Sequence, residues 1–285
     1  MKVFPVLSVF IAAGAIPGFC QAPRRPLTSL FNSKLAYFLP APDSTPISTS
    51  VVNTAGGGAT IAPNTWLEIH GSNLGQSTKD WSNESFKDAK GNPAMPTTID
   101  GVSATVNNKP AAIYYISPTQ VNILAPLDAA TGPVPVQLKT QYGTTTALTP
   151  VMQNVAPGFL VIDVAGHVAS RHLDYSLLGP TSLNQPGYTF TPAKPGETVL
   201  LYATGFGQTN PPISDELLGQ GALPTLPTLT IGNLPATVSF AGISGPGLYQ
   251  LNVVVPLTAP DGDLTVSATY NGASTQKNVV VTVQH

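Results

Sequence analysis

The sequence predicts an all-β protein built from two tandem β-sandwiches that a β-hairpin linker joins. Its 285 residues, enough for about two domains, include 29 Pro and 26 Gly, which interrupt helices. Thr, Val and Ala fill much of the remainder and suit pleated strands. Short apolar stretches recur every 8 to 12 residues or so between Gly, Pro or Asn turns, which is typical of a sandwich. One series of motifs also occurs twice along the chain.

Charge excludes one class of partner. Only 9% of the residues are charged, the formal net charge is −2, and Lys and Arg form no cluster. Nucleic-acid binding requires a positive surface that neutralises phosphates. We therefore expect no nucleic-acid partner.

Residues 1–20 have the layout of a secretory signal peptide. Lys2 precedes an apolar run, Val3–Ile16, and small residues follow before a polar break. A phenylalanine rather than a small residue precedes Cys20, which argues against a lipoprotein. The apolar run is shorter than the roughly 20 residues of a membrane span, and no later segment qualifies. The expectation is a protein that is secreted, periplasmic or on the cell surface, without cysteine after cleavage at Cys20.

The next residues, 21–58, are rich in Pro, Ser, Thr and Gly and predict an extended leader with one strand near Thr49–Asn53. Duplication begins after it. "PNTWLEIHGSNLGQST" (63–78) corresponds to "PGETVLLYATGFGQTN" (195–210), each with a Pro turn, an apolar strand and a Gly-rich loop.

The second pair of corresponding segments is "TVNNKPAAIYYISPTQVNILAP" (105–126) and "TIGNLPATVSFAGISGPGLYQLNVVVP" (230–256). The spacing between copies is far longer than a solenoid repeat, so it indicates a tandem domain duplication. Gly166 marks a turn between two strands that separate the copies, and "YNGAS" predicts a type I′ hairpin turn. The predicted boundaries are 59–158 for the first sandwich, 159–192 for the bridging hairpin and 193–285 for the second sandwich.

These motifs carry a family resemblance. "PGETVLLYATGFGQTNPP" and "APDGDLTVSATYNGAST" resemble the uncharacterised C-terminal domain family of Solibacter-type Acidobacteria, and "NTWLEIHGSNL" resembles the module that often precedes it. The strands followed by Gly-rich loops are also similar to the IPT/TIG division of immunoglobulin-like domains. The resemblance covers roughly residues 60–285. It implies immunoglobulin-like sandwiches, export, and a module without assigned catalytic residues.

The densest polar cluster of the sequence is "HVASRHLD". His172 and Asp174 would share one face of a strand, with His167 across the preceding turn, which is a conceivable metal site. An exposed hairpin with ordinary polar residues explains the same pattern, because two or three loosely spaced ligands are common. Asp261 and Asp263 lack the oxygens that calcium needs, and the Gly-rich loops lack the Lys and helix of a phosphate site. We expect no catalytic residue and no cofactor.

Two tryptophans differ in context. Trp66 alternates with apolar residues in a strand and is expected in the core, whereas Trp81 lies in a polar loop. Sugar-binding sandwiches present exposed aromatic platforms on which a sugar ring stacks. Trp81 is therefore the candidate platform, although anchoring its own loop explains it as well.

Amides interrupt one strand of each copy. Gln250 and Asn252 lie in "GLYQLNVVVP", and Gln120 and Asn122 lie in "TQVNILAP". Because side chains alternate along a strand, each pair shares a face. The amides could bind a ligand, or they could bond backbone groups of a neighbouring strand. Duplication favours the structural role, since both copies need the same internal bonds.

The sequence thus predicts an exported, noncatalytic interaction or structural protein of the cell envelope or extracellular space. Its partner would be a protein or polysaccharide of the cell surface. One alternative is a polysaccharide-binding module with an exposed aromatic strip near Trp81. A second alternative is a metal-dependent or hydrolytic enzyme that uses His167, His172 and Asp174.

Overall fold

A computed structural model describes residues 44–88, 90–92, 94–213 and 220–285. The predicted signal peptide and most of the predicted leader lie outside the described residues. Residues Thr45–His285 form one compact unit. Within the described ranges the chain is all-β with several sheets, as predicted, and no helix there has the length and apolar character needed to cross a bilayer.

The strands of the first half are short and bounded by turns. They are β1 (Ile47–Asn53), β2 (Thr60–Ile61), β3 (Trp66–Ser72), β4 (Lys79–Asp80), β5 (Thr98–Ile99), β6 (Val102–Val106), β7 (Lys109–Pro110), β8 (Ala112–Ile116), β9 (Gln120–Leu124), β10 (Gly132–Pro133), β11 (Val136–Thr140), β12 (Gly143–Thr144) and β13 (Val151–Met152).

Two main sheets enclose the core of the first half. The first sheet has the order β1-β3-β9-β8-β4, and the second has the order β12-β11-β6-β5 with β7 beside β6. A small third sheet joins β10, β13 and β2. Leu67 and Ile123 of the first sheet and Val106 and Leu138 of the second are fully or almost fully buried between them. The strand predicted at Thr49–Asn53 is confirmed as β1, and it forms an edge of the first sheet.

Twelve strands lie in the described part of the second half. They are β14 (Gly158–Phe159), β15 (Ser170–His172), β16 (Leu177–Leu178), β17 (Phe190–Thr191), β18 (Thr198–Thr204), β19 (Gly221–Ala222), β20 (Thr228–Ile231), β21 (Leu234–Gly245), β22 (Leu248–Val254), β23 (Gly262–Tyr270), β24 (Ala273–Ser274) and β25 (Val280–Val283).

One curled sheet encloses the core of the second half. Its central order is β15-β18-β22-β21-β20-β23, with β25 beside β23. The 12-residue β21 pairs with β22 and with β20, and so it belongs to both sides of the core. Phe159, Phe206 and Tyr249 are fully buried inside. Residues Asn271 and Gly272 both have positive φ between the paired residues Tyr270 and Ala273, which confirms the predicted hairpin turn.

The two halves repeat one pairing scheme. The amide-bearing strand pairs antiparallel with the strand before the Gly-rich loop in each half, β9 with β3 and β22 with β18. A bulge also interrupts the neighbouring strand at the corresponding place, beside Tyr115 in β8 and beside Phe240 in β21. The segment predicted as a bridging hairpin contributes β15 and β16, which extend the sheet of the second half through β18.

A contact region that we call the seam joins the halves. Trp66 donates two hydrogen bonds across it, from its backbone N–H to Thr204 Oγ1 (3.1 Å) and from Nε1 to the Pro246 carbonyl (2.7 Å). Asn53 Nδ2 donates to the Ala156 carbonyl (2.9 Å). Gly247 has φ +60° and lies so close that a Cβ there would stand 2.6 Å from Trp66 Nε1. The seam therefore holds the halves in one relative position.

Candidate functional site: the outer face of the first sheet

The side of the first sheet that points away from its core carries most of the polar strand residues. In β3 and β9, Leu67, Ile69, Val121 and Ile123 point into the core. The residues between them point outward because side chains alternate along a strand. We call this side the outer face, and its members are Trp66, Glu68, His70, Asp80, Tyr114, Tyr115, Gln120 and Asn122.

A row of side chains crosses four neighbouring strands of this face. Glu68 lies opposite Asn122, Asn122 lies opposite Tyr115, and Tyr115 lies opposite Asp80. Adjacent strands are about 4.8 Å apart, so the row is about 14 Å long. The bulge between Ile113 and Tyr115 turns the Tyr115 side chain outward, where it is half-exposed.

Two side-chain pairs define the electrostatics of the row. Glu68 Oε2 lies 3.0 Å from His70 Nε2, and the Glu68 side chain is 21% exposed. Burial raises the pKa of the Glu68 carboxyl above its ordinary value, while the charge and hydrogen bond of His70 offset part of that rise. Gln120 Nε2 donates to Asn122 Oδ1 at 2.8 Å. Among the described residues, Gln120 Oε1 and Asn122 Nδ2 have no hydrogen-bond partner.

Aromatic rings form a wall beside this row. The Trp81 ring makes edge-to-face contacts with Tyr114 (centroids 4.9 Å apart), Phe86 (5.3 Å) and Trp66 (5.7 Å). Trp81 is half-buried and anchors the loop that follows β4 to the sheet. Trp66 is buried as predicted, but it lies under this wall rather than in the core between the sheets. A stacking role for Trp81 stays a prediction.

A recess of about 510 Å³ opens at the edge of the row. Tyr115 and Asp80 of the outer face line it together with Lys79, Asn83 and Glu84. An aromatic ring surrounded by carboxylate, amide and ammonium groups can contact an apolar ring face and bond hydroxyl groups at its rim. Sequence reasoning missed Glu68, His70 and Tyr115. Polar alternation in "WLEIHGS" was a usable signal for the first two.

The second half repeats the amide pair without these surroundings. Gln250 Nε2 donates to Asn252 Oδ1 at 2.8 Å, as in the first half. Asn252, however, lies opposite Leu200 and Phe240 rather than a carboxylate and a tyrosine. The expected partner was a backbone group of a neighbouring strand. In both halves the partner is the other amide, because i and i+2 side chains on one face are close enough to bond each other.

The structure does not bring the predicted metal-site residues together. β15 ends at His172, so Asp174 lies in the following turn rather than on the same strand face. Asp174 Oδ1 accepts hydrogen bonds from Ser176 N (2.9 Å) and Oγ (2.6 Å), which stabilise that turn. His172 Nδ1 instead pairs with Glu197. In the described ranges, no three His, Cys, Asp or Glu residues are placed to hold a metal ion.

His167 belongs to a third location. Its Nδ1 lies 2.6 Å from Asp163 Oδ2 within the Gly166 turn. Its Nε2 lies 3.3 Å from Asp263 Oδ1, at an angle unsuited to a hydrogen bond. Asp263 Oδ1 also accepts a hydrogen bond from Thr282 Oγ1 (2.6 Å). The His167 ring thus lies between Asp163 of the turn and Asp263 of β23, and the turn itself is bonded to β25 because the Val280 N–H donates to the Gly166 carbonyl (2.9 Å).

No protein-family model matches the chain, and no curated protein is significantly similar to it. Among solved structures, the chain is similar to SGBP-B of the Bacteroides ovatus mixed-linkage glucan utilization locus, solved with a mixed-linkage heptasaccharide (TM-score 0.35, 14% identity, 85% of this chain and 45% of that one). It is also similar to the plexin A4 extracellular region, with a TM-score of 0.28, 11% identity, and coverage of 90% of this chain and 20% of that one. Domains 5-6 of the S-layer protein SbsC are similar with a TM-score of 0.24, 11% identity, and coverage of 84% of this chain and 98% of that one. The chain spans about a fifth of the plexin chain and less than half of SGBP-B. Likenesses at these scores carry no functional inference.

Proposed function

We propose that the protein is exported and acts without catalysis as a binding protein of the cell envelope or extracellular space. Its two halves would be immunoglobulin-like sandwiches of the Solibacter-type family that the sequence resembles. The signal-peptide layout of residues 1–20 supports export. The seam supports a rigid body that presents one surface, since Trp66 bonds the second half from both its backbone and its side chain.

Polysaccharide is the ligand class that the outer face supports best. The observation that carries this choice is the row from Glu68 through Asn122 and Tyr115 to Asp80, beside an aromatic wall. Sugar hydroxyls both donate and accept hydrogen bonds, and the free amide atoms of the outer face, Gln120 Oε1 and Asn122 Nδ2, offer both functions.

Retention on polysaccharides tests this proposal with a matched pair of variants. Tyr115→Ala removes the ring opposite Asn122, and Phe240→Ala removes the corresponding ring opposite Asn252. In affinity electrophoresis against mixed-linkage glucan, xyloglucan and cellulose, we expect the native protein to be retarded by at least one polymer. Tyr115→Ala should weaken that binding roughly tenfold, because stacking and burial of the ring are lost.

Phe240→Ala should leave binding unchanged, and thermal melting would verify that both variants are folded. Absence of retardation by every polymer would refute the polysaccharide proposal. Equal weakening by both variants would show that the outer face is not the site.

A further inference from the structure

A groove lies between the two halves, away from the outer face. Its volume is about 300 Å³, and Asp128 of the first half faces Gln208, Tyr270 and Asn271 of the second across it. Asn154 and Val155 of the connecting segment also line it, and both residues line an adjoining recess of about 510 Å³. Small-ligand sites in proteins occupy about 300–1,000 Å³ and are common where two domains meet.

Tyr270 is the unusual residue of this groove. It is 4% exposed, and its ring packs 5.8 Å from the Phe206 ring. No partner for its hydroxyl exists among the described residues. Tyr249 offers a contrast, because its buried hydroxyl donates to the Gly207 carbonyl. The Tyr270 hydroxyl is not among the enclosed polar atoms that lack a partner, so it opens into the groove that Tyr270 lines and is free to bond a molecule there.

The walls of the groove are fixed in advance. The Ala156 N–H donates to the Gly205 carbonyl at 2.8 Å, which holds the loop of Gln208 against the connecting segment. A Cβ at Gly207, where φ is +81°, would stand 2.6 Å from the Asn154 carbonyl oxygen, so these backbones are in close contact. A ligand would therefore bind without the entropic cost of ordering a loop.

Charge and hydrogen-bonding groups define the ligand class. Asp128 is the one charged side chain among the described residues that line the groove, and it is already paired. Asn107 Nδ2 (2.7 Å) and the Ala130 N–H (2.9 Å) donate to it, and Lys109 Nζ lies 3.5 Å away. Neither a cation nor an anion would find an unpaired opposite charge there.

The remaining polar groups are amides. The exposed side chains of Asn154, Gln208 and Asn271 each offer donors and an acceptor, and apolar residues such as Val155 and Phe206 line the groove beside them. An extended peptide would need a free strand edge, whereas every lining residue except Tyr270, the last residue of β23, lies in a loop or turn. We infer that the groove is a second binding site, independent of the outer face, for one ring of a neutral sugar that bonds Tyr270 Oη.

Saturation-transfer NMR tests the inference with glucose, galactose, mannose, xylose and N-acetylglucosamine as probes. At least one sugar should receive saturation from the native protein. Tyr270→Phe should weaken this binding about five- to tenfold, because it removes one hydroxyl without removing the ring. Tyr142→Phe removes a hydroxyl from an exposed tyrosine that lines neither site, and it should leave the binding unchanged. Tyr115→Ala on the outer face should not abolish the binding, so the groove is tested separately from the polysaccharide assay.

Thermal melting separates a binding role from a structural one. Tyr270→Phe should leave the melting temperature unchanged within about 1 °C, whereas Tyr249→Phe should lower it because that hydroxyl is bonded within the protein. The inference is overturned if no sugar binds the native protein, if Tyr270→Phe binds as well as the native protein, or if Tyr115→Ala abolishes binding.

Discussion

Replacement of Gln276 by Ala should destabilise the protein more than most single substitutions. The Gln276 side-chain amide bonds both backbone groups of Phe159, as a neighbouring strand would. Oε1 accepts from the Phe159 N–H (2.9 Å) and Nε2 donates to the Phe159 carbonyl (2.6 Å). Phe159 is fully buried, so both of its backbone groups would lose their partner. Gly56 packs against the same side chain, because a Cβ there would stand 2.7 Å from Gln276 Cβ.

The magnitude follows from these two groups. Each buried backbone group left without a partner costs about 1–3 kcal/mol, and water entering the space left by the side chain favours the lower part of that range. The expected loss in the free energy of unfolding is therefore about 2–4 kcal/mol. For a unit of this size, 1 kcal/mol corresponds to about 2–4 °C, which gives a decrease of roughly 4–16 °C in melting temperature.

Differential scanning calorimetry measures this decrease. Gln284→Ala is the matched control, because Gln284 is exposed near the end of the same segment, and its melting temperature should equal that of the native protein. Gln276→Glu keeps the length of the side chain but cannot donate to the carbonyl when ionised, so its instability should diminish in acid as the carboxyl gains a proton. A decrease below about 2 °C for Gln276→Ala would refute the reasoning.

Three further predictions concern the strands and the seam. Asn122→Ala and Asn252→Ala should each lower the free energy of unfolding by about 0.5–1.5 kcal/mol, because each removes the hydrogen bond between the Gln and Asn side chains of its strand. An unchanged melting temperature would contradict the structural role. Glu68→Gln should stabilise the protein at neutral pH, where the partly buried carboxylate is ionised; urea unfolding should show this gain diminish as pH falls through the raised pKa toward the ordinary value of a glutamate, and a pH-independent difference would contradict it. Gly247→Ala should cost about 2–5 kcal/mol from positive φ and crowding, against about 1–2 for Gly272→Ala, whose Cβ would meet nothing within 4 Å, and equal losses in chemical unfolding would be the contrary result.

Local patterns in the sequence were sufficient to predict several elements. Composition and turn spacing predicted an all-β chain, and Asn271-Gly272 predicted a hairpin turn that depends only on neighbouring residues. The repeated amide pair predicted strands with equivalent partners, which β9 and β22 confirm. Periodicity and turn chemistry depend on neighbouring residues, so they can be read without knowledge of the tertiary structure.

The candidate site depended on long-range register instead. Glu68 meets Asn122 only because β3 and β9, far apart in sequence, pair in one alignment. Tyr115 lies beside them only because of the bulge in β8, and the residues of β8 have no sequence feature that predicts a bulge. Asp174 does not lie on the strand face predicted for the metal site, because β15 ends at His172. Its carboxylate instead stabilises the turn that follows. The groove at Tyr270 required the relative position of the two halves.

The two cores have no residue in common, although the seam binds the halves together. Each core can condense from its own strands, and the bonds of Trp66 across the seam can form only when both surfaces exist. We therefore expect the seam contacts to form late in folding, after the rate-limiting step of either half. Weakening the seam should leave the folding rate unchanged and accelerate unfolding, so the lifetime of the native protein depends on those few bonds.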